Sequence, residues 1–368
     1  MIALRRETPA RARLLGWRNG GRVPAVLLVL SLGACTTTAS GGLTASGMPV
    51  LSDLTSFALM RADLKDKAPS PISVDEAADL LKDYDVIFLG EWHDHPGNHL
   101  AEMALFRAIH QRAPRLALSM EQFERDVQPV LDDYMAGRIG EENLRSRGRA
   151  WSNYAESYRP LVEYAKEHEL HVIAAEAPTR VVRCVGQEGA EFLTHLRPEQ
   201  RRWAAAELHL GNSAYRDKFM RFLAEDGAHG QGAAASEAVQ PGAGPSPAAL
   251  RSFAAQVTRD DTMAESIFLY LQKNPGAKVV HLTGAFHVEG FMGTVERLKL
   301  RAPGLKIAVV APVEIEHPEH PSISAADTKA GNFVLLLRSL PKSYVSDAEM
   351  NAATAEQQTG FALRKCDL

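Results

Sequence analysis

The sequence predicts an α/β fold, a mainly parallel β-sheet flanked by helices, and three observations carry that expectation. Short apolar runs recur at 86–89, 116–120, 171–175, 278–282, 307–310 and 333–337, the length of buried strands. Helical patterns separate the first three, so the order reads β-α-β-α-β and calls for parallel strands joined by crossovers. Four of the runs end in chemistry: Gly90-Glu91, Glu121, Glu176 and Thr283-Gly284. In a parallel sheet those ends share one edge, where ligands sit.

The first residues are not expected to belong to that fold. Six arginines lie between Arg5 and Arg22, Val23 to Leu32 is mainly apolar, and Leu32-Gly33-Ala34-Cys35 closes the stretch. Ten such positions are too few to span a bilayer, so residues 1–34 read as a cleaved export signal. The tetrapeptide is similar to the lipobox of bacterial lipoproteins, which implies a lipid on Cys35. Thr36 in place of an aspartate matches lipoproteins sent to the outer membrane, facing the periplasm or the surface. Residues 35–50 are small and polar and read as a flexible tether.

Without residues 1–34 the chain would keep 35 basic and 44 acidic side chains of its 41 and 45. That balance speaks against nucleic acid as a partner. With Cys35 assigned to lipid, Cys184 and Cys366 remain, and two thiols in an oxidising compartment can form a disulfide. Spacing alone leaves open whether they meet.

The folded domain is expected over 51–340. Ser73 caps a first helix over 74–84, and Leu100 to His110 forms the next. Further helical pieces follow at 128–135, 141–144, 158–168, 188–196, 198–207 and 215–224. Residues 227–249 hold one large aliphatic side chain, Val239, and no aromatic, so they read as a low-complexity insertion. A long helix spans 250–272 until Asn274-Pro275-Gly276 stops it, with Asp260 and Asp261 on or beside its apolar stripe. A buried acid there needs a partner. A helix through Leu298 follows His287, and residues 341–368 form a C-terminal tail.

Between the first strand and its helix stand Glu91, His93, Asp94, His95 and His99. With Glu121, Glu176 and His287 they would crowd one crevice. Trp92 would wall it, His95 and His99 read as exposed imidazoles, and His281 as a satisfied core residue.

These motifs together resemble the ChaN-type haem-binding uptake lipoproteins of the Tiki/TraB and erythromycin esterase-like superfamily. The resemblance rests on LGEWHDHPGNH at 89–99, SMEQFERDVQPVLDDY at 119–134, Tyr158-Arg159-Pro160-Leu161 with AAEAP at 174–178, the set Gln256, Asp260, Met263 and Ala264, and LTGAFHVEG at 282–290. Glu176 departs from it, since asparagine is the commoner residue there. The resemblance implies haem at a homodimer interface, tyrosinate on the iron and a basic side chain near the propionates. Tyr154, Tyr158 and Tyr215 are the candidate ligands, with Arg216 and Lys218 beside the last. The alternative it implies is a hydrolase or peptidase. Glu91, His93, Glu121 and His287 would then bind a divalent metal such as zinc or manganese, or act as a metal-free acid/base set. A structural envelope protein with a vestigial site would use the same residues as a polar network.

Overall fold

A computed structural model describes residues 48–63, 68–228, 239–240, 244–346, 348–350, 352–353, 366 and 368. The expected export signal, Cys35, most of the tether, much of the insertion and most of the tail lie outside the described residues. Among the described residues no helix is long and apolar enough to cross a membrane.

Ten strands are described: β1 (Phe57–Arg61), β2 (Ser70–Ile72), β3 (Val86–Glu91), β4 (Leu116–Glu124), β5 (His171–Glu176), β6 (Val239–Gln240), β7 (Gly244–Pro245), β8 (Lys278–Gly284), β9 (Ile307–Ile315) and β10 (Phe333–Arg338). Eight form one sheet in the order β2-β1-β10-β9-β3-β8-β4-β5. The six from β10 to β5 pair in parallel, and β1 and β2 add an antiparallel edge. The short pair β6 and β7 stands apart, inside the expected insertion.

Both faces of the sheet are covered, as a parallel sheet requires. Side chains alternate along each strand, so Ile87, Leu89, Leu118, Met120, Val280 and Leu282 enter one core. Val86, Phe88, Ala117, Val279 and Val309 enter the other. The helices are α1 (Val74–Leu81), α2 (Pro96–Arg112), α3 (Gln128–Met135), α4 (Glu141–Arg147), α5 (Arg159–Glu167), α6 (Thr179–Glu188), α7 (Pro198–Arg201), α8 (Ala214–Ala228), α9 (Pro247–Lys273) and α10 (Thr294–Arg301). Helices α1, α2 and α5 pack on the first core and α9 and α10 on the second.

Several elements differ from the sequence reading, which also assigned no strand to β1 or β2. The 188–196 segment is mostly a 3-10 turn, and the helix before it is α6, whose Val181 and Val185 pack with Phe192, Leu193 and Ala254. The 198–207 helix ends at Arg201. Ser246 caps α9, so that helix begins inside the stretch assigned to the insertion. Cys184, on α6, is bonded to Cys366 across 182 positions of sequence.

Candidate functional site

Strand β8 lies between β3 and β4, which sets the geometry of the site. Glu91 continues the Ile87–Leu89 parity of β3, whereas Glu121 continues the Ala117–Ser119 parity of β4. The two carboxylates therefore rise from opposite faces of the sheet, with Gly284 at the end of β8 between them.

On the first face Glu91 is 1% exposed. Its Oε1 accepts hydrogen bonds from Gln122 Nε2 at 2.6 Å and Tyr158 Oη at 2.9 Å, and lies 2.7 Å from His93 Nδ1. The loop carrying His93 is pinned on all sides. His95 N donates to Trp92 O, Asn98 Oδ1 accepts from Trp92 N, and both His99 Nε2 and Asn153 Nδ2 donate to His93 O at 2.9 Å. His95 caps α2, its Nδ1 accepting from Gly97 N and Asn98 N while Nε2 donates to Arg338 O at 2.7 Å. The His93 side chain stays 39% exposed. Its ring meets Trp151 edge-on at 4.9 Å.

On the second face Glu121 Oε2 accepts from Thr283 Oγ1 at 2.6 Å and Gly284 N at 2.7 Å. His287 lies in the turn after β8, with Nδ1 2.8 Å from Asp260 Oδ1 and Nε2 3.7 Å from Glu121 Oε1. Asp260, on α9, also accepts from Tyr215 Oη at 2.7 Å and Thr294 Oγ1 at 2.9 Å. A Cβ on Gly284 would stand 2.9 Å from His93 Nε2 and 3.7 Å from His287 Cδ2. Glycine there is what lets the two imidazoles approach one point.

The charges follow from these contacts. Burial opposes a charged His287, but the Asp260 and Glu121 carboxylates outweigh it and raise the imidazole to about 9. Burial likewise opposes a charged Glu121, yet His287, His93 and two hydrogen bonds hold it at about 2. His93 is drawn down by partial burial and, more strongly, up by Glu91 and Glu121, so its net shift is upward. Glu102 is raised well above its usual range by burial and by Glu91. Burial also lifts Glu176, to about 7, against the pull of Arg259 at 2.8 Å.

Glu91, His93, Glu121 and His287 thus meet at one edge, with Asp260 behind His287. Glu176 shares that edge but turns to Arg259 and to the Ala177 amide. Other expectations need correction. His95 is buried as a helix cap, and His99 is half-buried against Glu102 and the His93 carbonyl. The tyrosine hydroxyls proposed for iron point inward: Tyr158 to Glu91, Tyr215 to Asp260, and Tyr154 into the core without a partner. All three side chains are fully buried and each phenol is pushed up, chiefly by burial. None offers an open oxygen, so these three do not form an iron site in this arrangement. Arg216 bonds Asn212, while Lys218 lies over Phe286 and pairs with Glu289 at 3.1 Å. His281 Nδ1 meets Ser119 Oγ at 2.9 Å, but its buried Nε2 has no partner. The residues missed are Gln122, Asn98 and Glu102. Strand parity with Glu91 and the helical i, i+4 step from Asn98 to Glu102 were the available signals.

Fold and site define a class first: an α/β protein with carboxylate-backed imidazoles at the C-terminal edge of a parallel sheet. The model for the family described as haem-binding uptake, Tiki superfamily, ChaN matches residues 77–298, and the chain belongs to that family. Among solved structures it is similar to one titled "Cofacial heme binding to ChaN of Campylobacter jejuni", at TM-score 0.56 and 15% identity, over 77% of this chain and 97% of that one. An erythromycin esterase mutant, EreC, in its open conformation aligns at TM-score 0.45 and 13% identity, over 79% of this chain and 99% of that one. A curated relative, Protein RETICULATA-RELATED 5, chloroplastic, of Arabidopsis thaliana, is 27% identical over 218 residues. The match takes in 57% of this chain and 28% of that protein, so the chain spans little more than a quarter of its relative's length.

Proposed function

We propose that this chain is an exported, lipid-anchored protein that binds haem and serves haem or iron uptake, with His93 as the axial donor to iron. The carrying observation is His93 itself. Of the predicted donors it combines an open ring with a carboxylate on the opposite nitrogen, the arrangement that orients metal-bound imidazoles. Its flanks suit a flat macrocycle: Trp92 is 42% exposed and Trp151 meets the ring edge. When bound, the haem would supply the iron and the redox chemistry, and this chain would supply His93, its Glu91 anchor and the aromatic wall. Cofacial haem, named for the Campylobacter jejuni relative, would place the group at the surface between two copies, consistent with an exposed donor. Export is supported by the arginine-rich leader and by the bond between Cys184 and Cys366, since such bonds persist in oxidising compartments.

Haemin titrated into the purified chain should give a saturable Soret shift. No saturable shift would reject this reading. Labelling cells with an alkyne fatty acid should tag the wild-type chain and leave Cys35→Ala untagged.

A hydrolase is the second reading, favoured by the two imidazoles facing Gly284. His93, backed by Glu91, would be the base, and the imidazolium of His287 the acid or oxyanion partner. That reading predicts ester or peptide cleavage by the haem-free protein that falls at least a hundredfold in both His93→Ala and His287→Asn. Wild-type activity kept in either variant would reject it.

A further inference from the structure

The Glu91 carboxylate has a second side. While Oε1 is saturated by three groups, Oε2 is buried and without a hydrogen-bond partner. It faces His99 Nδ1 at 3.6 Å, and that nitrogen lies 3.0 Å from Glu102 Oε2. The three atoms fall within 4.8 Å of one another, deep under the loop that carries His93.

Lone pairs show what is missing. His99 Nε2 sits 2.9 Å from the His93 carbonyl, which can only accept, so Nε2 carries a proton. In a neutral imidazole Nδ1 is then an acceptor, and it points at two carboxylate oxygens that are acceptors too. Three lone pairs converge on one point, so either a proton shared by the carboxylates or a bound cation must stand there.

We infer that Glu91 Oε2, His99 Nδ1 and Glu102 Oε2 form a site for a divalent transition-metal cation. Ligand atoms of a tetrahedral zinc site, each about 2.1 Å from the metal, stand roughly 3.4 Å apart, and the separations of 3.0 and 3.6 Å bracket that value. The supporting contacts are those a metal site needs. His99 is oriented by the His93 carbonyl, Glu102 Oε1 accepts from Asn98 Nδ2 at 2.8 Å, and Glu91 is held by its three partners. One imidazole and two carboxylates with a fourth position open suit zinc, cobalt or manganese. The inference is separate from the haem reading, because haem would take the outer face of His93 and the cation lies beneath it.

The test uses the full chain, stripped with a chelator and titrated with Co²⁺ and Zn²⁺. One equivalent of Co²⁺ should develop the intense visible bands of a four-coordinate site, and Zn²⁺ should displace it. Glu102→Gln, nearly isosteric, should weaken binding at least tenfold, and His99→Gln should do the same. His287→Asn, on the other face, should leave it unchanged. Circular dichroism checks that each variant is folded. No uptake by the wild-type chain, or uptake kept in both Glu102→Gln and His99→Gln, overturns the inference and leaves a shared proton between the carboxylates. Loss in His287→Asn alone would also overturn it, placing the cation at the Glu121 and His287 side. The Soret band reports haem independently, so either claim can fail without the other.

Discussion

His287 is held between two acids, and its behaviour with pH follows from that. Its folded value of about 9 lies above the usual 6.5, so its contribution to stability is complete below about 6.5 and is lost as pH rises through 9. Glu121 runs the other way: its folded value of about 2 lies below 4.5, so its contribution is complete above 4.5 and is lost as pH falls toward 2. Urea midpoints should therefore form a plateau between about pH 4.5 and 6.5 and decline on both sides. Asp260→Asn should flatten the alkaline decline and cost about 3–5 kcal/mol, since it leaves a buried cation with one partner fewer. An unchanged pH profile in that variant would disprove the assignment. At this scale Glu91, His93, Glu121 and His287 were legible because strand ends in a parallel sheet share an edge. The tyrosines were not: a phenol on an amphipathic helix reads alike whether its hydroxyl meets water or a buried carboxylate, and Tyr158 and Tyr215 meet carboxylates.

Helix α2 depends on an unusual cap. His95 satisfies two free amides at its start and ties the site loop to β10 through the Arg338 carbonyl. His95→Ala should destabilise the protein by about 1–3 kcal/mol, from the lost cap and the half-buried Arg338 carbonyl left without its partner. Thermal denaturation would measure it, and a variant as stable as wild type would remove the cap from the account. The six parallel strands were readable as apolar runs, whereas β1 and β2 lie at the antiparallel edge, where short segments carry little pattern. Helix α6 escaped because Val181-Val182 and Gly186 have weak helix propensity. Packing against the 190–195 turn and Ala254 of α9 holds it instead.

Across the whole molecule the covalent tie is Cys184 to Cys366, closing a loop of 182 positions. Reduction, or Cys366→Ala, should lower stability by about 2–4 kcal/mol. A melting temperature indifferent to reductant would show that the bond does not form in solution. The parallel body of the fold was legible because each of its six strands could be read locally as an apolar run. The closed side of Glu91 was not, because it depends on the packing of α2 against β3, which no local pattern reports.

One spectroscopic comparison separates His93 from the tyrosines as the donor to haem iron. Haemin titrated into wild type, His93→Ala and the Tyr158→Phe/Tyr215→Phe double variant should give a saturable Soret shift that His93→Ala loses and the double tyrosine variant keeps. A shift that survives in His93→Ala and disappears with the tyrosines would contradict the account.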